Sequence, residues 1–484
     1  MKYVPLFLVF IAFFIPRFFY GAEIFTLWDS SSEITFLSSI GIVGNNGHFL
    51  LSEASEVLEN ISGIFGLSGK NFLFFLSVFL SFVSICLGSF FVYQKLNLKR
   101  YSILTGFLLS IHPLLVWLSG EPSIYHFSGS IFSMGVLFHL MNPLPFFLHS
   151  LFGVILIGLG VLLSPILHFY SMIFYFSLLI VYVDKLNFSF DIKKSTPFNV
   201  VTGLGLLISI FLVSILGKST QFFSYSPKTL TQSVIELITF LTKNKLFNDL
   251  TLVSRTMVKA YFSPVIFIAP LILFLTPLRK KELFPLLILS FLMPVFELPT
   301  LANSEYHHLY SSIFLLTIAT AFSLKEMIKI QKIPLMRAFL ALSLFGILII
   351  GLAARVHRDY YRRQSMVSIG KTLEDRRDTV NAKIYTPFGK LLPVKGFLHA
   401  KKKLNLKVYP VFKNLKKDKV HLLLGDSSHI FLFIDDYFIY EEYWNGDFWR
   451  KKDLKISNLK IELVSLINEN SPNVGRLFKI SKAQ

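Results

Sequence analysis

Apolar residues in this chain come in long unbroken runs divided by short polar ones. Neither the stripe of a surface helix nor the alternation of a half-buried strand produces that pattern. The runs lie at roughly 4–20, 71–93, 101–118, 124–141, 144–163, 166–183, 200–217, 264–278, 284–297, 309–324 and 338–354. They approach the ~20 residues that take a helix across the hydrocarbon core of a bilayer. The prediction is an all-α transmembrane bundle of about eleven spans. After residue 355 charged residues, turn signals and the strand-like stretches "AKIYTPFGKLL", "LKVYPVF" and "HIFLFIDDYFIYEEYW" replace the runs, which predicts a soluble α/β or β-rich domain. The chain therefore divides into a membrane domain, 1–354, with long loops at 21–70 and 218–263, and a C-terminal domain, 355–484.

Loop charge orients the bundle, because short cytoplasmic loops collect Lys and Arg. With the N-terminus inside, the even-to-odd connections should be basic. Four of them are: Lys95, Lys99 and Arg100; Lys185, Lys193 and Lys194; Arg279, Lys280 and Lys281; Lys325, Lys329, Lys332 and Arg337. The connection "NPLP" at 142–145 carries no charge. This parity puts 21–70, "SGEPSIY" at 119–125, 218–263, "ELPTLANSEYHH" at 297–308 and the C-terminal domain on the outer side of a plasma (inner) membrane.

Composition agrees with the pattern: 53% of the 484 residues are hydrophobic, only 16% are charged, and Phe alone occurs 53 times. The formal charge of +19 would suggest nucleic acid in a soluble protein. Here most of the cations sit in inter-helix loops or the C-terminal region, and no nucleic-acid recognition module is visible. Cys86 is the single cysteine, so neither an internal disulfide nor a Cys-type zinc site can form. The start, "MKYVPLFLVFIAFFIPRFFYGAE", has the parts of a signal peptide; the later spans favour an uncleaved first helix.

Acids are expensive near a bilayer, so those retained at one face are candidates for chemistry. Asp29 follows the first span in "EIFTLWDSSSEITFLSSIG", which reads as an outer-surface helix with Trp28 at the interface. It is either a helix cap, with Glu33 completing a capping box, or a functional carboxylate. Glu121 sits in a tight Gly-Pro turn on the same face, either as a solvated turn acid or as a partner of Asp29 in base catalysis or cation binding. Arg255 and Lys259 are four apart, on one helical face before the eighth span, and Lys218 stands at the other end of that loop. They are either snorkelling cations or phosphate contacts. Glu305, His307 and His308 lack a second ligand pair at zinc-site spacing. His126 and His168, near outer span ends, read as polar packing residues. "DSSH" at 426–429 lacks a nucleophile elbow and is a chance match to a hydrolase triad.

An Arg closing the first span, Arg17, followed a dozen residues on by Trp28-Asp29 at the head of an amphipathic outer helix, resembles the polytopic GT-C glycosyltransferases, which include the protein O-mannosyltransferases and the aminoarabinose transferase of lipid A. "IHPLLVWLSGEPSIYHFSGSIF" is similar to the family's stretch in which a Pro-Leu run and a Ser precede an acid, matched by Glu121. "LANSEYHHLYSSIF" is similar to its late Arg/His-Tyr-Leu stretch, matched by Tyr306 and His307. One departure is Ser30, where many members carry a second acid.

The resemblance implies transfer of a sugar, with inversion, from a polyprenyl-phosphate carrier that reaches the site from the bilayer, to a lipid, glycan or protein acceptor at the outer face. Asp29 and Glu121 would be catalytic, Asp29 as the general base. Arg17, Lys218, Arg255, Lys259, Tyr306 and His307 would contact substrate or phosphate, and Asp29 and Glu121 are the candidate ligands of a divalent cation, Mg or Mn. A flippase or transporter of lipid-linked sugars, or a glycan polymerase or ligase, shares many of these signals. A transporter should place its polar groups and broken helices at mid-membrane, often in repeated halves; this chain gathers them at one face.

Overall fold

The computed structural model describes residues 4–18, 69–120, 124–141, 146–164, 167–184, 200–209, 283–296, 309–330, 345–357, 383–387, 407–411, 420–435 without 426, 454–456, 458–467 and 474–483, with a few isolated positions besides. The chain forms two compact units: among the described residues the first comprises 4–18 and 72–355, and the second includes 69–71 and 356–483.

The first unit is helical: α1 (Val4–Phe18), α2 (Gly69–Leu96), α3 (Lys99–Ile111), α4 (Pro113–Gly120), α5 (Ile124–Leu140), α6 (Phe146–Leu163), α7 (Leu167–Asp184), α8 (Val200–Ser209), α9 (Phe284–Phe296), α10 (Tyr310–Ile330) and α11 (Phe345–His357). Every apolar run carries a helix except 264–278, which lies outside the described residues. Among the described residues Phe74–Leu96 is long and apolar enough to span a bilayer on its own; α3 and α4, bent by 60°, pass that test together, and the other apolar helices are shorter.

α10 is the axis of the unit. It packs on α3, α4, α5 and α9, and from Tyr310 to Ser323 it is buried on every side, as an apolar helix without a polar face must be. α5 and α6 approach closely because glycines face each other. A Cβ on Gly153 would lie 2.8 Å from the Gly135 carbonyl oxygen, and one on Gly160 would lie 2.9 Å from Phe132 Cβ. Small residues at such crossings let backbones gain dispersion contacts that lipid cannot outcompete. α2 stops at Asn97, whose φ of 54° is the left-handed conformation that ends helices; its N–H closes the last turn on the Tyr93 carbonyl at 2.6 Å.

The run 101–118, expected as one span, is broken. Pro113 has no N–H and forces the residue before it out of the helical region; His112 sits at φ −62°, ψ 119°. The Leu114 N–H, which in a continuous helix would bond the Ser110 carbonyl, instead reaches His112 Nδ1 at 3.3 Å. That leaves the Ser110 carbonyl in the interior without its helical donor.

The second unit holds a six-stranded mixed sheet: β1 (Lys383–Pro387), β2 (Lys407–Val411), β3 (His429–Asp435), β4 (Leu454–Ile456), β5 (Leu459–Ile467) and β6 (Gly475–Lys482), in the order β2-β1-β3-β6-β5-β4. β2, β1 and β3 run parallel, and the other pairs are antiparallel. Parallel strands need crossover connections, and the one from β2 to β3, which flank β1, contains α12 (His421–Leu424). Ile430, Leu432 and Ile434 share a core with Val420, Leu424, Phe478 and Ile480, while Phe431 and Phe433, on the other face of β3, are equally buried. Burial on both faces marks β3 as the central strand.

Candidate functional site

Arg17, in the last turn of α1, has no solvent exposure. Its Nη1 donates to the carbonyls of Phe13, at 2.9 Å, and Ser110, at 3.0 Å, and its Nε donates to Ser119 Oγ at 2.7 Å. The Ser110 carbonyl is the one that the Pro113 break deprives of its helical donor, so the guanidinium caps the end of α3 and holds the following helix, α4, at Ser119. The guanidinium also lies 4.0 Å from the centroid of the Phe13 ring, a cation–π contact.

Ser119 begins a longer chain of hydrogen bonds. Its carbonyl accepts from Ser77 Oγ at 2.9 Å, and Ser77 Oγ is also 2.9 Å from His126 Nδ1. One hydroxyl proton cannot serve both contacts, so the network assigns the second proton to His126 Nδ1. His126 Nε2 is then the acceptor for Ser130 Oγ at 3.3 Å. The Tyr310 ring meets His126 edge-on at 5.0 Å. The residues come from the C-terminal ends of α1 and α4 and the N-terminal parts of α2, α5 and α10, so they gather at one end of the bundle. All of these side chains are buried. At the same end the Arg355 guanidinium stacks 3.8 Å from the Trp117 ring centroid; α4 is thus contacted by a buried arginine at Ser119 and by another at Trp117.

A second polar cluster lies thirteen residues along α5 from His126, which is about 20 Å at 1.5 Å per residue. There His139 bridges the Ser150 carbonyl and Thr202 Oγ1, both at 3.3 Å, and so ties α5 to α6 and α8. His168, also buried, receives Ser171 Oγ on its carbonyl at 2.6 Å.

Of the residues singled out in the sequence, Arg17 and His126, the latter read as a packing residue, stand in the first cluster. Asp29, Glu121, Lys218, Arg255, Lys259, Tyr306 and His307 lie outside the described residues, as do Glu305 and His308. Ser77, Ser119, Ser130, Tyr310 and the Arg355–Trp117 pair were not anticipated. Among the described residues no group of three His, Cys, Asp or Glu side chains could hold a metal ion, and Asp29 and Glu121, the candidate cation ligands, are not among them. Ser428 and His429 of "DSSH" are in contact at 3.1 Å in an exposed position.

Chemically, a fixed guanidinium in water-excluded surroundings sets up a strong positive field. Ser119, which it holds, precedes Glu121 by two residues. The arrangement suits an anionic ligand at this end of the bundle.

No family model matches the chain, and no curated protein does. Solved structures do. ArnT from Cupriavidus metallidurans, bound to undecaprenyl phosphate, aligns over 98% of this chain and 97% of its own with a TM-score of 0.51 at 12% identity, and its apo state aligns equally well. The oligosaccharyltransferase of Archaeoglobus fulgidus in complex with Zn and sulfate aligns over 81% of this chain at 14% identity, with a TM-score of 0.41. This chain spans 57% of the length of that oligosaccharyltransferase. The fold is that of ArnT, the GT-C fold which the sequence resemblance implies.

Proposed function

We propose that the chain is an integral membrane glycosyltransferase that moves a sugar from a polyprenyl-phosphate carrier to a lipid, glycan or protein acceptor at the outer face of the membrane. The observation that carries the reading is the fully buried Arg17, which joins a break in the helices to the segment leading into Glu121. A permanent charge in apolar surroundings costs several kcal/mol to desolvate, and a charge retained there marks a functional site. The ArnT fold supports the same reading, since that protein binds undecaprenyl phosphate.

In this reaction the acceptor hydroxyl attacks the anomeric carbon and the carrier phosphate leaves, so one group must remove a proton and another must stabilise growing negative charge. Asp29 is the base, and inversion follows from a single displacement. Glu121 orients the acceptor or shares the proton. Arg17 contributes to the field at the leaving phosphate, while Lys218, Arg255, Lys259, Tyr306 and His307 supply direct contacts. A divalent cation, Mg or Mn, on Asp29 and Glu121 belongs to the reading as a ligand, with no step assigned to it.

The test is sugar transfer from a polyprenyl-phosphate donor by inserted, folded protein. Asp29→Asn is expected to lose at least about a hundredfold in rate, the lower range for a general base. Full activity in that variant would remove Asp29 from the base role. Comparing cell-surface glycans and lipids with and without the gene would identify the sugar and the acceptor.

A further inference from the structure

His126, Ser77, Ser119 and Arg17 form one directed chain of contacts through the interior, and all four side chains are buried. The Ser119 carbonyl lies in the last turn of α4, where carbonyls have no donor within their own helix, and it takes the Ser77 hydroxyl proton at 2.9 Å. His126 Nδ1, also 2.9 Å from Ser77 Oγ, is then the donor in that contact. His126 Nε2 accepts from Ser130 one turn further along α5. With both ring nitrogens engaged, the plane of the imidazole is fixed as well as its tautomer.

His126 gives Ser77 something that packing alone does not. A serine in a membrane helix tends to turn its proton to the carbonyl one turn back, as Ser84 does on the same helix at 2.8 Å. A donor aimed at one lone pair of Ser77 Oγ fixes which way the hydroxyl proton points, and here it points across to α4. The donor is itself held from another side. A Cβ on Gly129 would lie 2.9 Å from Tyr310 Cδ1, and Ser311 Oγ donates to the Gly129 carbonyl at 3.2 Å, so α10 sets the start of α5. Ser119, placed in this way, accepts Arg17 Nε on its hydroxyl at 2.7 Å and passes its own proton to the Leu115 carbonyl, also at 2.7 Å. A charge that stabilises a leaving group is most effective when it need not reorganise during the reaction. We propose that His126 is a positioning residue for sugar transfer, acting through Ser77 and Ser119 to hold the Arg17 guanidinium. The inference rests on the transferase reading above and adds a residue to it that touches no substrate.

The test measures transfer in membranes of a strain that lacks the gene and carries each variant, matched in amount by immunoblot. The donor is the cell's own pool of polyprenyl-phosphate-linked sugar, and the product is the glycan or glycosylated lipid or protein that deletion removes. His126→Ala and Ser77→Ala are each expected to lower the rate roughly ten- to a hundredfold, as small misplacements near a reacting centre do. The double variant should lose no more than the worse single one, because both interrupt one path. His126→Asn is expected to return the rate to near the parent's, since its amide nitrogen stands where Nδ1 stood. His126→Gln, whose amide reaches the Nε2 position instead, should stay about tenfold down. Unfolding temperatures of the variants are compared in detergent, and if the alanine variants do not insert, the Asn and Gln pair decides. Equal rates for Asn and Gln, additive losses in the double variant, or losses that only track unfolding temperature would make His126 a packing residue and overturn the proposal. Asp29→Asn without product in the same assay would leave the transferase reading standing in that case. A deletion that changes no glycan, lipid or protein modification would overturn both.

Discussion

Arg17 has no water to share its charge, and it offsets that cost with two backbone carbonyls, a serine hydroxyl and the Phe13 ring. Lysine cannot reproduce this, because an ammonium lacks the planar fork that reaches acceptors on three helices at once. Arg17→Lys is expected to leave the Ser110 carbonyl or Ser119 without its donor, which costs roughly 1–3 kcal/mol. Thermal unfolding in detergent should report the loss, and sugar transfer should fall with it; an unchanged unfolding temperature would show that these bonds add nothing to stability. Arg17 was legible in the sequence because a cation at the end of an apolar run stands out. Its partners were not. Hydroxyls are tolerated throughout membrane helices by bonding the carbonyl one turn back, as Ser84, Thr105, Thr317 and Thr320 do here. Nothing in composition separates those from Ser77 and Ser119, which bond across helices. Trp117 and Arg355 meet across 238 positions of sequence, a distance that no local pattern covers.

At the scale of elements, the apolar runs gave helix positions but not helix continuity. Pro113 was visible, yet proline alone does not decide: Pro16 lies inside α1 and Pro294 inside α9, and neither helix ends there. At Pro113 the break is held by what uses it, since Arg17 takes up the carbonyl that the bend releases. Pro113→Ala restores the missing N–H and removes the ring that displaces His112, so the Leu114 N–H can compete with Arg17 for Ser110. A continuous α3–α4 helix is expected to gain stability, because a proline inside a helix costs ~3 kcal/mol. It should also displace Ser119 and lower sugar transfer by about tenfold, equivalent to ~1.4 kcal/mol on the barrier. Stability and activity are thus expected to move in opposite directions, and a Pro113→Ala enzyme as active as the parent would disconnect the bend from function. The α5–α6 crossing was hidden for a different reason. Gly135, Gly153 and Gly160 stand among many glycines of the chain, and only the facing backbones show that they meet. In the second unit, β1, β2 and β3 fall within the three stretches read as strands. β4 to β6 were not singled out, because charged residues interrupt their apolar positions, as in "LKIELVSLI" and "GRLFKISK".

For the whole molecule the remaining question is sidedness, and helix direction makes it answerable. The C-terminal ends of α1, α4 and α11 and the N-terminal parts of α2, α5 and α10 carry Arg17, Ser119, Arg355, Ser77, His126 and Tyr310, as a bundle of alternating helices requires. The turn between α2 and α3, flanked by Lys95, Lys99 and Arg100, is at the opposite end of α2. Short cytoplasmic loops collect basic residues, which predicts that the Arg17 end lies outside. Nine of the eleven expected spans separate residue 99 from residue 460, an odd number, so the two positions should face opposite sides. Lys99 and Lys460 are both exposed, and Cys86, the one native thiol, can be replaced by Ser. In that background Lys460→Cys is expected to react with a membrane-impermeant maleimide in intact cells, and Lys99→Cys only after permeabilisation. Both thiols reacting from one side would require an even number of crossings between them. The reverse pattern would put the Arg17 end in the cytoplasm, where an acceptor at the outer face could not reach Asp29.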